Sequence, residues 1–349
     1  MDRSITSVAN ENGQDADGGS ERPDVSVVIP AYNAAETIAY ALGSFAAQDG
    51  VSFETIVVDD GSQDGTTKVV SDVARLARPD SVRLLRHPDA GNRGVAASRN
   101  LGLARARAPF VAFLDADDWL LPGSLRARAE ALRKHGDVAL VYGRVRSTSS
   151  ETSVGGFVGR GVAERPISLS RWLLFENPIP TSTVMLRRDA VPGPLFPEGL
   201  HHQMEDWAAW LTLSQRWQAL FLDRELAVYR QTPSSWSTRL GDRWVRHAQL
   251  REEADLLRRF SEGPLITSKT AVNDALAYRS GRLCVEALGQ FGRLRLGVGK
   301  KCLASAMAIA GSKRVLARAM CLWAPRLKLR SWFGKAPEAG PAWASFIAS

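Results

Sequence analysis

The sequence predicts an α/β fold: a mostly parallel, Rossmann-like central sheet with flanking helices, followed by a helical segment. Three observations carry the prediction. Apolar, β-branched runs alternate with helical periodicities through the first half of the chain. These runs are too continuously apolar to leave one face wet, as expected of strands covered on both sides. Polar loops rich in carboxylates then close several of them, and open α/β sheets bind ligands outside the carboxyl ends of their strands.

Each element has its own signal. Residues 25–29 are a β-branched strand ended by Pro30, and 34–48 carry Ile38, Leu42, Phe45 and Ala46 at helical spacing. A strand at 53–58 is followed by a helix at about 65–76, a short strand at 82–85, a helix at 94–106 and a strand at 109–114. Beyond Pro122, a helix is expected at 123–135 and a strand at 138–142. Residues 144–166 are rich in Ser, Gly and Thr and read as a flexible loop. The strand at 183–186 is the clearest of the next stretch, and from about 242 onward the pattern is helical.

A chain of 349 residues exceeds the size at which one core stops growing, so a large domain plus an appended segment is expected. The divisions read as a disordered leader at 1–23, a main domain at 24–240 and a basic helical segment at 241–349. No apolar signal region lies in the leader, and no run of 18 apolar residues occurs anywhere. Cys284, Cys302 and Cys321 are odd in number and lack a metal spacing, which points to free thiols and a cytoplasmic location.

The net charge of +8 is unevenly placed. Residues 275–349 hold thirteen Lys and Arg against two Glu, which leaves the rest of the chain net acidic. No RNA-binding motif accompanies the basic tail, so nucleic acid is not an expected partner. With Trp323, Leu327, Trp332 and Phe333, the tail fits peripheral contact with an anionic membrane surface; a helical subdomain with solvated basic faces is the alternative.

Three strand ends carry loops that should line one crevice: Pro30-Ala31-Tyr32-Asn33, Asp59-Asp60-Gly61-Ser62 and Asp115-Ala116-Asp117-Asp118. The carboxylates of the second can accept hydrogen bonds from a base edge or ribose, or can simply form a turn and helix cap. Those of the third repel one another unless compensated, and hard oxygen ligands suit Mg²⁺ or Mn²⁺. Arg93 and Arg99, on either side of Gly94 at a helix start, favour an anion there. Glu205-Asp206 opens another helix and is either a cap or a general base toward an acceptor hydroxyl. His201 and His202 precede it, and on an extended segment at most one of them faces the site.

Taken in order, these motifs resemble a family. Val27-Val28-Ile29-Pro30-Ala31-Tyr32-Asn33, Val57-Val58-Asp59-Asp60-Gly61-Ser62, Asn92-Arg93-Gly94 through Ser98-Arg99-Asn100-Leu101-Gly102, and Phe113-Leu114-Asp115-Ala116-Asp117-Asp118 are similar to a family 2 glycosyltransferase of the GT-A fold. The similarity is strong over 25–145, weaker over 165–240, and absent from the last hundred residues. It implies an inverting transfer from a nucleotide-sugar donor, UDP ahead of GDP or dTDP, to a glycan or lipid-linked acceptor in surface-glycan synthesis. Pro30, Ala31, Tyr32 and Asn33 would border the base, Asp60 the base or ribose, and Arg93 and Asp115 the rest of the nucleotide. Asp117, with Asp115, matches the metal-binding motif, and Glu205-Asp206 the catalytic base, with Asp206 preferred. Tyr229-Arg230 and Ser234-Ser235-Trp236-Ser237 resemble a loop that closes on the donor, although Gln231-Thr232-Pro233 stands where that loop usually has a histidine. A nucleotidyltransferase is the rival on a similar fold, but Pro30-Ala31-Tyr32-Asn33 is not its Gly-rich loop. A non-catalytic binding or scaffold module has no need of Asp60, Asp115, Asp117 and Asp206 together.

Overall fold

The computed structural model describes residues 22–78, 81–148, 165–175, 177–191, 193–200, 204–231, 243–262, 269–291, 296–312 and 315. The predicted leader, the loop at 149–164, His201 and His202, Ser234 to Ser237, and the tail with Trp323, Leu327, Trp332 and Phe333 therefore lie outside the described residues.

The alternation begins as expected. β1 (Val25–Ala31), α1 (Ile38–Gly43), β2 (Phe53–Asp59), α2 (Thr66–Leu76), β3 (Val82–Arg86), α3 (Val95–Arg105) and β4 (Phe110–Phe113) follow in order. They are succeeded by β5 (Trp119–Leu120), α4 (Ser124–Lys134), β6 (Val138–Ser147), α5 (Ser170–Leu173), β7 (Met185–Arg187), α6 (Glu205–Ser214) and β8 (Gln218–Tyr229). One sheet of eight strands runs β3-β2-β1-β4-β7-β6-β8-β5. The first four strands are parallel, β7 runs antiparallel to both β4 and β6, and β6 is parallel to β8. Four of the seven pairings are parallel, so the sheet is more mixed than expected: the parallel half carries the crevice and the second half turns back on itself.

Both faces are covered, which is why the strands lack alternation. Val28, Ile56 and Val58 join one core cluster, while Val27, Ile29 and Val57 join the other. Alternate residues thus point into two separate apolar layers. α3 lies tight against β1: a Cβ on Gly102 would sit 2.3 Å from Cγ1 of Val28.

Several boundaries differ from the sequence reading: the strand expected at 183–186 runs over Met185–Arg187, because Thr181–Thr183 form a 3-10 turn, and three other shifts have a visible cause. β1 does not stop at Pro30. Ala31 O, facing β2, accepts from Asp60 N, and Val28 O, facing β4, accepts from Leu114 N. Pro30 therefore turns its missing N–H toward β4, whose ladder has already ended at Val28. The first helix is shorter, because Ala34 N–H donates to Thr66 Oγ1 at 2.8 Å and Ala35 N–H to Asp64 Oδ2 at 2.9 Å, holding 34–37 as loop. β6 runs five residues beyond the expected strand, since β8 supplies partners as far as Ser147.

The C-terminal part forms α7 (Arg243–Glu262), α8 (Lys269–Phe291) and α9 (Leu296–Ala310). Leu250, Leu257, Val272 and Leu276 belong to the same buried cluster as Trp207, Trp210 and Phe196. Arg279, 1% exposed, is the polar link: it donates to Glu253 Oε2 at 2.7 Å and Leu174 O at 2.6 Å, with its guanidinium 5.1 Å from the Trp207 ring centre. Among the described residues no helix is long and apolar enough to cross a membrane.

Candidate active site

Because β2, β1 and β4 are adjacent and parallel, their carboxyl ends deliver the three predicted loops to one edge of the sheet. Pro30 and Ala31 are buried in the sheet, so the first loop offers Tyr32, 53% exposed, and Asn33. Asn33 has a φ of 47° and is stitched to the second loop: its N–H donates to Ser62 Oγ, and its Oδ1 accepts from Gln63 N, both at 2.9 Å. Asp59, buried at the end of β2, accepts from Ser62 N–H, Thr67 Oγ1 and Arg86 Nε. Burial would raise its pKa, but these donors bring it below the usual carboxylate range.

Asp60 is where the geometry departs most from expectation. It is 4% exposed, and its two oxygens accept from the backbone N–H groups of Arg93 (2.7 Å) and Gly94 (2.9 Å). The anion expected at the start of α3 is thus Asp60 itself, favoured there by the helix dipole. Asp60 thereby anchors the 92–94 turn. The Arg93 side chain turns away to Asp89, forming a bidentate pair with an Nη–Oδ2 distance of 2.9 Å.

At the end of β4 the acidic turn separates into three environments. Asp118 is buried and fully engaged, accepting from Ser182 Oγ at 2.6 Å and Arg230 N at 3.0 Å; burial, then the charges of Asp115 and Asp117, hold its pKa well above the usual range. Asp115 is partly open and accepts from Arg99 at 2.8 Å. Asp117 is pushed up to about 6, first by burial and then by the charge of Asp115. The two carboxylates crowd like charge on one turn, so their donor set fits a hard divalent ion, which needs only one or two protein carboxylates. Among the described residues there is no group of three or more metal-ligating side chains.

α6 opens on Met204 without a side-chain cap, so Glu205 is not spent on capping. Glu205, 5% exposed, accepts from Arg99 at 2.6 Å. Asp206 lies beside it, accepting from Thr181 Oγ1 at 2.8 Å and from Trp207 N–H. Burial, then the charge of Glu205, push its pKa up to about 7, with Arg99, Thr181 and the Trp207 N–H pulling the other way. Arg99 joins the two acidic groups: buried, it bonds Glu205 through one Nη and Asp115 through the other, with its guanidinium 5.5 Å from the Phe196 ring centre. Against the cost of burial, Asp115, Glu205 and Asp206 hold it firmly protonated.

The structure therefore brings Asp115, Glu205 and Asp206 together, with Asp117 in the same turn as Asp115. Tyr32 and Asn33 stand at the end of the adjacent strand, while Arg93 is drawn off to Asp89. Arg99 was visible in the sequence only as a generic anion-favouring arginine, and its two partners lie 16 and 106 residues away. Thr181 and Ser182 carried no spacing signal at all, although they touch Asp206 and Asp118.

The family model described as Glycosyl transferase family 2 matches residues 26–190. Among curated proteins, the chain is 30% identical over 244 residues to UDP-Glc:alpha-D-GlcNAc-diphosphoundecaprenol beta-1,3-glucosyltransferase WfgD of Escherichia coli, covering 69% of this chain and 88% of that protein. Coverage varies among relatives: a 44% identical match spans only 29% of its partner's length. Among solved structures, S. aureus TarS in complex with UDP overlays with a TM-score of 0.58 at 20% identity, over 88% of this chain and 87% of that one. Mannosyltransferase PcManGT from Pyrobaculum calidifontis, in complex with GDP-Man and Mn²⁺, gives 0.55 at 20% identity, over 90% and 82%. These overlays identify the mixed sheet and its flanking helices as the GT-A fold.

Proposed function

The chain belongs to glycosyl transferase family 2, and on that premise we propose that it moves a sugar from a nucleoside-diphosphate donor to a hydroxyl acceptor with inversion at the sugar carbon. One observation carries the assignment to these residues. Arg99 spans Asp115 and Glu205 at 2.8 and 2.6 Å, so the acidic turn after β4 and the start of α6 form a single site. Inversion in one displacement needs a base on one side of the sugar carbon and charge stabilisation of the departing phosphate on the other. Asp206, raised toward neutrality, takes the proton from the acceptor hydroxyl. Tyr32 and Asn33 border the donor base, and Asp60 acts on the donor indirectly by holding the 92–94 turn. A divalent ion held by Asp117 and Asp115 would neutralise charge on the leaving diphosphate.

UDP is the preferred donor nucleotide and a lipid-linked glycan the preferred acceptor class; the E. coli relative is named for both, and the TarS complex holds UDP. The reaction belongs to cell-envelope polysaccharide synthesis. Among the described residues Cys284 and Cys302 form no disulfide, which supports a cytoplasmic site of action. On α9 the solvent side carries Lys300, Lys301, Leu303 and Met307, the last 56% exposed, supporting peripheral contact with anionic lipid.

A thermal-shift panel of UDP-, GDP- and dTDP-sugars with Mn²⁺, Mg²⁺ or EDTA tests the donor site. Stabilisation by UDP-sugars that EDTA abolishes is expected, and at a hundredfold excess over Kd it amounts to about 2.7 kcal/mol. Asp117→Asn should remove it; a variant that binds donor and turns it over like the wild type would end the metal assignment. A flat panel on folded wild-type protein would favour a scaffold.

A further inference from the structure

Between the acidic turn and the base lies a short buried element that neither the motifs nor the proposed reaction uses. Thr181–Thr183 form one 3-10 turn, with Thr181, Ser182 and Thr183 at 7%, 2% and 0% exposure. Each hydroxyl has a different task. Thr181 Oγ1 donates to Asp206 Oδ2 at 2.8 Å. Ser182 Oγ donates to Asp118 Oδ2 at 2.6 Å and accepts from Asp115 N–H at 3.2 Å. Thr183 Oγ1 donates to Pro180 O at 2.8 Å and accepts from Gly143 N–H at 3.3 Å.

The turn is also clamped from behind. Val184 O, at its end, accepts from Phe113 N at 3.3 Å and from Arg128 at 3.0 Å. Arg128 is fully buried in α4, and its bonds go to Ser124 O, Ser124 Oγ and Val184 O. Among the described residues this cation bonds only backbone carbonyls and a hydroxyl, with no counter-charge to offset its lost hydration, so its use as a clamp is costly and specific. The turn is therefore tied to β4, α4 and β6 while its side chains reach the candidate base and the acidic turn.

We propose that the Thr181–Ser182 turn is a positioning element: Thr181 orients and charges Asp206, and Ser182 holds the Asp115–Asp118 turn, so that one rigid element sets the spacing between base and donor-binding carboxylates. The inference rests on the transferase reading given above. Besides the Trp207 N–H, three side chains act on Asp206: Glu205 on its own helix, Arg99 from α3, and the Thr181 hydroxyl. Only Thr181 can be altered without removing a charge. A hydrogen bond to a carboxylate favours its ionised form.

The test uses the full chain, labelled with carboxyl-¹³C aspartate and titrated by NMR, with Asp206→Asn assigning the signal. Thr181→Val keeps the branched shape and removes the hydroxyl; it should move the Asp206 midpoint up by about one pH unit, while Thr181→Ser leaves it in place. UDP-glucose binding in the presence of Mn²⁺, read by thermal shift, should stay within about twofold in Thr181→Val. It should weaken at least about tenfold in Ser182→Ala, and Ser182→Thr, which keeps the hydroxyl, should recover it. An unmoved midpoint in Thr181→Val, or an equal shift in Thr181→Ser, overturns the role of Thr181. Unchanged donor binding in Ser182→Ala, or no recovery in a folded Ser182→Thr, overturns that of Ser182. Wild-type protein that binds no donor would instead defeat the transferase reading, with the Asp206 titration still deciding the contact.

Discussion

Asp206 is held between opposing influences: burial and the charge of Glu205 raise its pKa to about 7, while Arg99, Thr181 and a backbone N–H lower it. A general base works ionised, so the logarithm of kcat/KM should rise with unit slope as pH approaches about 7 and flatten above it. An acid limb that breaks near 4 in the pH–rate profile would show that another group is the base. Stability should move the opposite way. A carboxyl whose folded pKa exceeds its unfolded value of about 3.9 favours the fold at low pH, and that contribution is lost as pH climbs to about 7. Asp206→Asn, a neutral isostere, should therefore melt at or above the wild-type temperature at pH 8 while its kcat falls about 10²- to 10⁴-fold. A large loss of melting temperature would mean that the ionised carboxylate is needed structurally. Arg99→Met leaves Glu205 and Asp115 without their shared cation, and unfolding should become easier by about 3 kcal/mol in a denaturant titration.

Among the elements, the strand-end loops are held by one another more than by the sheet. Gly61 has a φ of 79°, and a Cβ there would meet the backbone of Gly91 and Asn92 at 3.0 Å. Gly61→Ala should cost about 1–3 kcal/mol of stability and also weaken donor binding, because it pushes the 91–94 turn away from Asp60. Gly102→Ala makes a useful contrast: its Cβ would press on Val28 in the layer between α3 and β1. Overpacking of that kind also costs about 1–3 kcal/mol. Since Gly102 touches no site residue, its donor affinity should stay near the wild-type value, as measured by calorimetric titration.

Over the whole molecule, the C-terminal helices are part of the core. Leu250, Leu257 and Val272 share a buried cluster with Trp207 and Leu173, and Arg279 reaches across to Leu174 O and the Trp207 ring. Removal of residues 241–349 would uncover that apolar surface, and the truncated chain should aggregate or lose its cooperative melting transition. A soluble, cooperatively melting 1–240 fragment would show the two parts to be independent. The basic segment has a second expected consequence. Full-length protein should co-sediment with vesicles containing anionic lipid and be released as salt rises, since each surface Lys or Arg contributes only about 1 kcal/mol and is screened within a Debye length. Equal binding to neutral vesicles would remove the electrostatic basis of that contact.

The order of strands and helices through Leu114 was legible in the sequence because each element there announces itself within a dozen residues: β-branched runs, helical spacing, and Gly or Pro at the joins. So were the carboxylates, since Asp115, Asp117, Glu205 and Asp206 stand in short motifs whose chemistry is local. What those motifs could not convey was orientation. Asp60 reads as a ligand-facing carboxylate until the structure turns it onto the Arg93 and Gly94 amides. The length of β6 depended on β8, a strand some seventy residues downstream. Arg99, Thr181 and Ser182 acquire meaning only from partners 16 to 106 residues away. Local residue order determined which elements form and which groups carry charge. Only the tertiary structure decided which of those charges meet, because long-range contacts are set by chain packing, which leaves no periodic trace in sequence.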